Sequence, residues 1–170
     1  MKDTLISRRE FLKDIGMIGA GVLLSASPWL SAFSEVVETS GEKCRLAIIG
    51  PGSRGRFLMS FLVQNPKVEI VALCDIYQPS IEKALELAPK AKVYDDYRKI
   101  LEDKTVDAVL VATPLNSHCQ IVLDAFDAGK HVFCEKSIGF TMEECFRIYS
   151  KHISTGKIFF TGQQRLFDPR

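Results

Sequence analysis

Residues 44–55 read CRLAIIGPGSRG, and the fold turns on how this stretch is taken. CRLAIIG is a short apolar run with β-branched residues near its end, the pattern of a parallel strand buried on both faces. GPGSRG follows at once, and RFLMSFLVQN (56–65) then places apolar residues at helical spacing. A glycine turn between a buried strand and a helix start leaves free backbone N–H groups pointing outward, which suits a phosphate. The next apolar run, VEIVALCD (68–75), ends on Asp75, 25 positions after Gly50. That is close to the offset of about 20 residues expected for an acid that accepts hydrogen bonds from an adenosine ribose. Gly50, Gly52 and Gly55 are therefore candidate phosphate-loop residues, with Ser53 and Arg54 at the helix start and Asp75 on the ribose. The alternative for a lone G-x-G-x-x-G is a tight turn with no ligand. Arg54 would then be plainly exposed.

A second glycine cluster, GMIGAG (16–21), fails the same test. It follows charged residues and no strand. It lies in an apolar run, Ile15 to Leu24, behind Arg8 and Arg9, and small residues follow in SASPWLSA. A basic segment, a short apolar segment and small residues describe an export signal, and the paired arginines mark the twin-arginine type. SRREFLK (7–13) resembles the twin-arginine motif at each defined position. The competing reading is a chance basic pair before a membrane anchor, for which the run is short and glycine-rich. No A-x-A triplet marks a cleavage site, so an uncleaved interfacial anchor stays open. The expectation is a periplasmic or cell-envelope protein, with the twin-arginine translocase as a partner.

From about residue 42 the chain alternates apolar runs with helical patterns. A helix is expected over Pro79–Ala88, a short strand at AKVYD (91–95), a helix at Tyr97–Leu101 and a central strand at VDAVLVATP (106–114). A helix then runs from about Asn116 to Ala128, with a strand at KHVFCEK (130–136). Thr141 and Glu144 form a capping box for a helix that stops at Gly156, before a last strand in KIFFTGQQR (157–165). Helix–Gly–Lys–strand joints recur at Gly129 and Gly156. Six strands alternating with helices predict an α/β fold, a doubly wound parallel (Rossmann) sheet of order 3-2-1-4-5-6. The expected organisation is a signal segment at 1–34, a linker at 35–42, the dinucleotide-binding domain at 43–165 and the start of a further domain at 166–170.

Composition agrees with a globular domain: 46% hydrophobic residues, 25% charged and a net charge of +1. No basic block points to nucleic acid. The five cysteines and three histidines show no metal spacing. Cys44, Cys74 and Cys134 fall in predicted strands, as buried free thiols would. The carboxyl ends of the strands carry GPGSRG, CD, TPLNSH, EKS and GQQR, and ligands bind at that edge of such sheets.

Residues 43–168 are identified as a member of the Gfo/Idh/MocA oxidoreductases by motif. AGKHVFCEKS (128–137) resembles the family's A-G-K-x-V-x-x-E-K-P, and TPLNSH (113–118) resembles its T-P-N-x-x-H. TGQQR (161–165) resembles the segment entering the substrate domain. The resemblance implies that Lys136 is a catalytic group at the substrate hydroxyl, with Glu135 beside it. It implies that Thr113, Pro114, Asn116, His118, Glu135 and Gln164 line the cofactor. Each residue has a plainer reading. Lys136 could be a surface lysine, and Glu135 could merely orient it or hold a backbone N–H. His118 could be solvated and Asn116 a helix cap. Gln164 and Arg165 could equally be ordinary surface residues. Leu115 and Ser137 depart from the family pattern, and Ser137 does not fix φ as proline does. Family members continue into a second α+β substrate domain, which is missing from this chain.

Asp75 would repel a 2′-phosphate, and Ile76 and Tyr77 bring no arginine to offset it, so NAD is expected over NADP. The expected function is oxidation or reduction of a sugar or polyol with Lys136 as proton-transfer group. The chain alone is expected to bind NAD without turning over sugar. A glycosidase of the same fold, in which the E-K-P lysine is lost, is the first alternative. A non-catalytic nucleotide-binding domain is the second. Self-association is compatible with the sequence.

Overall fold

The computed structural model describes residues 43–163. The signal segment, the linker, Gln164, Arg165 and residues 166–170 lie outside the described residues.

Six strands form one sheet: β1 (Cys44–Ile49), β2 (Val68–Cys74), β3 (Lys92–Tyr94), β4 (Ala108–Val111), β5 (His131–Cys134) and β6 (Phe159–Thr161). Their order is β3-β2-β1-β4-β5-β6, and every pairing is parallel. Five helices connect them: α1 (Ser53–Leu62), α2 (Gln78–Leu85), α3 (Tyr97–Glu102), α4 (Leu115–Asp127) and α5 (Met142–Thr155). The doubly wound topology read from the sequence is thus the observed one.

The central strands are apolar throughout because they serve two cores. Along β1, Cys44, Leu46 and Ile48 pack with Leu58, Met59 and Leu62 of α1 and Ile81 of α2. Ala47 and Ile49 point the other way, toward Ile121, Val122 and Phe126 of α4 and Ile148 of α5. Successive strand side chains face opposite sides, so each strand supplies both layers. Burying each Leu or Ile contributes roughly 1.5–3 kcal/mol, and this is what holds the strand ends in register.

Element ends depart from the sequence reading by a few residues. β4 and β6 are shorter than the apolar runs that contain them, because the residues beyond Val111 and Thr161 turn out of the sheet. The α4 N-cap is Pro114, and Asn116 is exposed in the first turn, which corrects the reading of Asn116 as a cap. The capping box holds: Thr141 Oγ1 accepts from Glu144 N at 3.2 Å, and Glu144 Oε2 accepts from Thr141 N at 3.3 Å. Gly129 and Gly156, at the two predicted joints, have φ of +71° and +62°. Cys44, Cys74 and Cys134 are buried free thiols, and burial pushes the Cys134 thiol up to about 12.

Candidate nucleotide and proton-transfer site

The site is built where β1, β4, β5 and β6 end. Gly50 leaves β1 with φ +83°, a conformation that side chains strain to adopt. A Cβ there would lie 2.8 Å from Thr113 N, so the β1 and β4 turns touch at this point. Gly55 is equally constrained, since its Cβ would fall 2.5 Å from Gly50 O. These two glycines let α1 start directly against the strand end.

Gly52 differs. A Cβ on it would meet nothing within 4 Å. It is the N-cap of α1, with no side-chain cap and no acid in the first turn. Ser53, the first helical residue, is exposed. A helix start with neither cap nor acid offers its N–H groups and its positive dipole end to an anion. Asp75, at the end of β2, is half-buried, and its Oδ1 accepts from Tyr77 N at 2.9 Å, leaving Oδ2 for another donor. An open glycine turn, an uncapped helix start and an acid on the neighbouring strand fit a pyrophosphate and its ribose.

The β4 turn is tied internally. Ser117 Oγ bonds Thr113 Oγ1 at 2.8 Å and Pro114 O at 2.7 Å. His118 is only 1% exposed. Its Nε2 lies 2.8 Å from Thr113 O and its Nδ1 lies 2.7 Å from Ser137 O. The sequence offered cofactor contact or solvation for His118. The ring is buried rather than solvated, and both of its nitrogens lie within hydrogen-bond distance of backbone carbonyls.

Glu135 follows β5 and is 5% exposed. Its Oε1 accepts from Arg54 Nε at 2.7 Å, and its Oε2 accepts from Lys136 N at 3.2 Å. The guanidinium of Arg54 also lies 5.2 Å from the Phe57 ring centroid. A buried carboxylate left unpaired would cost several kcal/mol, so this ion pair is what allows Glu135 to sit there. The plainer reading of Glu135, as holder of a backbone N–H, describes what it does here. Lys136 itself is exposed, as is Ser137.

Two contributors were missed in the sequence. Gly162 makes room for Glu135, because a Cβ on it would lie 2.9 Å from the carboxylate carbon. Phe57 supports Arg54 from the same helix. The only local signal was the glycine directly after the last strand.

Known proteins resemble this arrangement. Residues 44–163 match the model of GFO_IDH_MocA, described as an oxidoreductase family with an NAD-binding Rossmann fold. A glycosyl hydrolase family 109 protein of Stenotrophomonas maltophilia is 34% identical over 163 residues, covering 89% of this chain and 34% of the relative. An alpha-N-acetylgalactosaminidase of Shewanella oneidensis is 31% identical over 165 residues, covering 84% and 36%. The myo-inositol dehydrogenase of Lactobacillus casei, solved with NAD(H) and myo-inositol, superposes with a TM-score of 0.71 at 32% identity, covering 75% of this chain and 38% of that one. The chain thus spans about a third of the length of these relatives. On its strand order, its open phosphate turn and this match, the chain belongs to the Gfo/Idh/MocA oxidoreductase family and is an NAD-binding Rossmann domain.

Proposed function

We propose that the chain is the nucleotide-binding unit of an NAD-dependent oxidoreductase acting on a hydroxyl or carbonyl of a sugar or polyol. The observation that carries this reading is Lys136. It stands exposed at the end of β5, on the same edge of the sheet as the open turn at Gly52. Gly52 and the first turn of α1 would receive the pyrophosphate. Asp75 would accept from the adenosine ribose, favouring NAD over NADP. NAD, when bound, supplies the hydride-accepting group. Lys136 would take the proton of the substrate hydroxyl, and general acid–base help of this kind is typically worth about 10²–10⁴ in rate.

A second reading is favoured by the two glycosidase relatives: an oxidation–elimination glycosidase that keeps its NAD. Retention of Lys136 sets the dehydrogenase ahead, since the resemblance places that lysine outside the glycosidase branch. The discriminating experiment uses the gene's complete translation product. Net NADH formation from a sugar or polyol panel, lost in Lys136→Ala, is the expected result. Nitrophenol release from a nitrophenyl N-acetylgalactosaminide without net NADH would select the glycosidase instead.

The twin-arginine segment supports a cell-envelope address. Arg8→Lys combined with Arg9→Lys should hold the protein in the cytoplasm, and unchanged export of that double variant would overturn this part.

A further inference from the structure

We propose that Lys136 is set in place by a two-sided clamp on its own backbone, with Arg54, Glu135 and His118 as positioning residues. The inference rests on the reading of Lys136 as the proton-transfer group.

The two sides of the clamp are independent. On one side the peptide N–H of Lys136 donates to Glu135 Oε2 at 3.2 Å, while Arg54 Nε holds Oε1 of the same carboxylate at 2.7 Å. A Cβ at position 162 would lie 2.9 Å from the carbon of this carboxylate, so glycine there leaves it room. On the other side the carbonyl of the next residue, Ser137, lies 2.7 Å from His118 Nδ1. The same imidazole reaches Thr113 O with its second nitrogen, so the ring spans the β4 turn and the lysine loop. A neutral ring donates to one of these carbonyls and a doubly protonated ring to both.

The bonds bracket Lys136, one on the peptide before it and one on the residue after it. They come from different elements: Glu135 follows β5 and is anchored by Arg54 of α1, whereas His118 stands on α4. Serine at position 137 does not restrict φ as a proline would. The restraint on the loop therefore comes from these side chains. Lys136 is exposed and its side chain has four rotatable carbons, so its ammonium can be aimed only as well as its Cα is fixed. A misplacement of about 1 Å at a reacting group can lower a rate by around 10²-fold. Arg54, although it stands in the phosphate turn, spends its charge on Glu135.

The test uses the 170-residue chain, labelled with ¹⁵N and with its lysines reductively ¹³C-dimethylated. The Lys136 signal is assigned through Lys136→Arg. In Arg54→Met and in His118→Phe, the Lys136 dimethylamine signal should sharpen, because a freed Cα lets an already exposed side chain move more widely. Amide exchange at Lys136 should rise about tenfold or more in Arg54→Met, the equivalent of losing one hydrogen bond. Exchange at Val109 and Val132 in the sheet should stay unchanged, which separates loss of the clamp from loss of the fold. Arg54→Lys, which keeps a cation beside the carboxylate, should restore the Lys136 signal. Removing Arg54 leaves Glu135 buried without its cation, so if Arg54→Met does not fold, Glu135→Gln, which removes the charge and one acceptor oxygen, carries the same Lys136 exchange test. Unchanged Lys136 exchange and signal in folded Arg54→Met would overturn the clamp. NAD titration of the same samples reads the functional assignment separately. Wild type that fails to bind NAD would remove the function and leave the clamp result standing.

Discussion

The two ends of the sheet use the same kinds of residue, but only the carboxyl end also presents some of them with room in front. At the amino end, polar groups are closed on one another. Arg45 bonds Asp107 through its backbone N at 2.8 Å, through Nε at 3.1 Å and through Nη2 at 2.9 Å. Lys130 is 6% exposed and gives its ammonium to Asp103 O at 2.7 Å and Val106 O at 2.8 Å. His131 Nδ1 accepts from Ile158 N at 3.0 Å. At the carboxyl end, Gly52 opens on empty space, Asp75 keeps one oxygen for a further donor, and Lys136 is exposed. A polar group satisfied within the protein supports the fold. A polar group presented with room in front of it is available to a ligand. Residue type alone does not separate the two, since Lys130 and Lys136 flank the same strand.

The largest expected effect breaks the open end alone. Gly52→Val places a branched side chain where a pyrophosphate would approach, so NAD binding should be lost, by about a hundredfold or more, with an unaltered fold. Calorimetric titration beside circular dichroism checks this. At the closed end, Lys130→Met should do the reverse. It leaves one buried and one part-buried carbonyl without their donor, at roughly 1–3 kcal/mol each, so unfolding in urea should show a loss of about 2–6 kcal/mol. The NAD affinity of the folded fraction should not change. Next is Asp75→Ala, which removes a charged acceptor worth roughly 1.5–3 kcal/mol, weakens NAD and narrows the gap to NADP. Parallel titrations with both cofactors measure it.

The smallest effect is a pH dependence at the closed end. Burial pushes the His131 imidazole below its ordinary value, and Lys157 adds to the push. The folded protein therefore favours neutral His131, whose Nδ1 accepts the Ile158 N–H. The stabilisation is fully present above about pH 6.5, where unfolded histidine is neutral as well. It is lost as pH falls from there through the folded value, because the unfolded chain then binds more protons. Urea midpoints at pH 7 and pH 5.5 should differ less in His131→Asn, whose amide oxygen can still accept but does not titrate.

Much of this was legible in the sequence because it is local. The strand–glycine–helix unit at 44–62, the acid closing β2, and the Thr141–Glu144 capping box are each set by neighbours in the chain. Apolar runs gave the sheet order through the alternation of elements. What the sequence hid was long-range pairing. Arg54 and Glu135 are 81 positions apart, and His118 and Ser137 are 19 apart. No periodicity reports such contacts. His118 read as a cofactor contact or a solvated residue because only the folded packing of α4 against the lysine loop gives both ring nitrogens a carbonyl. Gly162 was equally silent, since its value lies in the carboxylate that it leaves room for.

The open carboxyl end of the sheet is proposed as the dinucleotide site. Calorimetric titration of the 170-residue chain with NAD and with NADP tests it most directly. One saturable NAD site per chain, tighter than any NADP binding, is the predicted result. A folded chain that takes up no NAD, or that binds NADP more tightly, would contradict it.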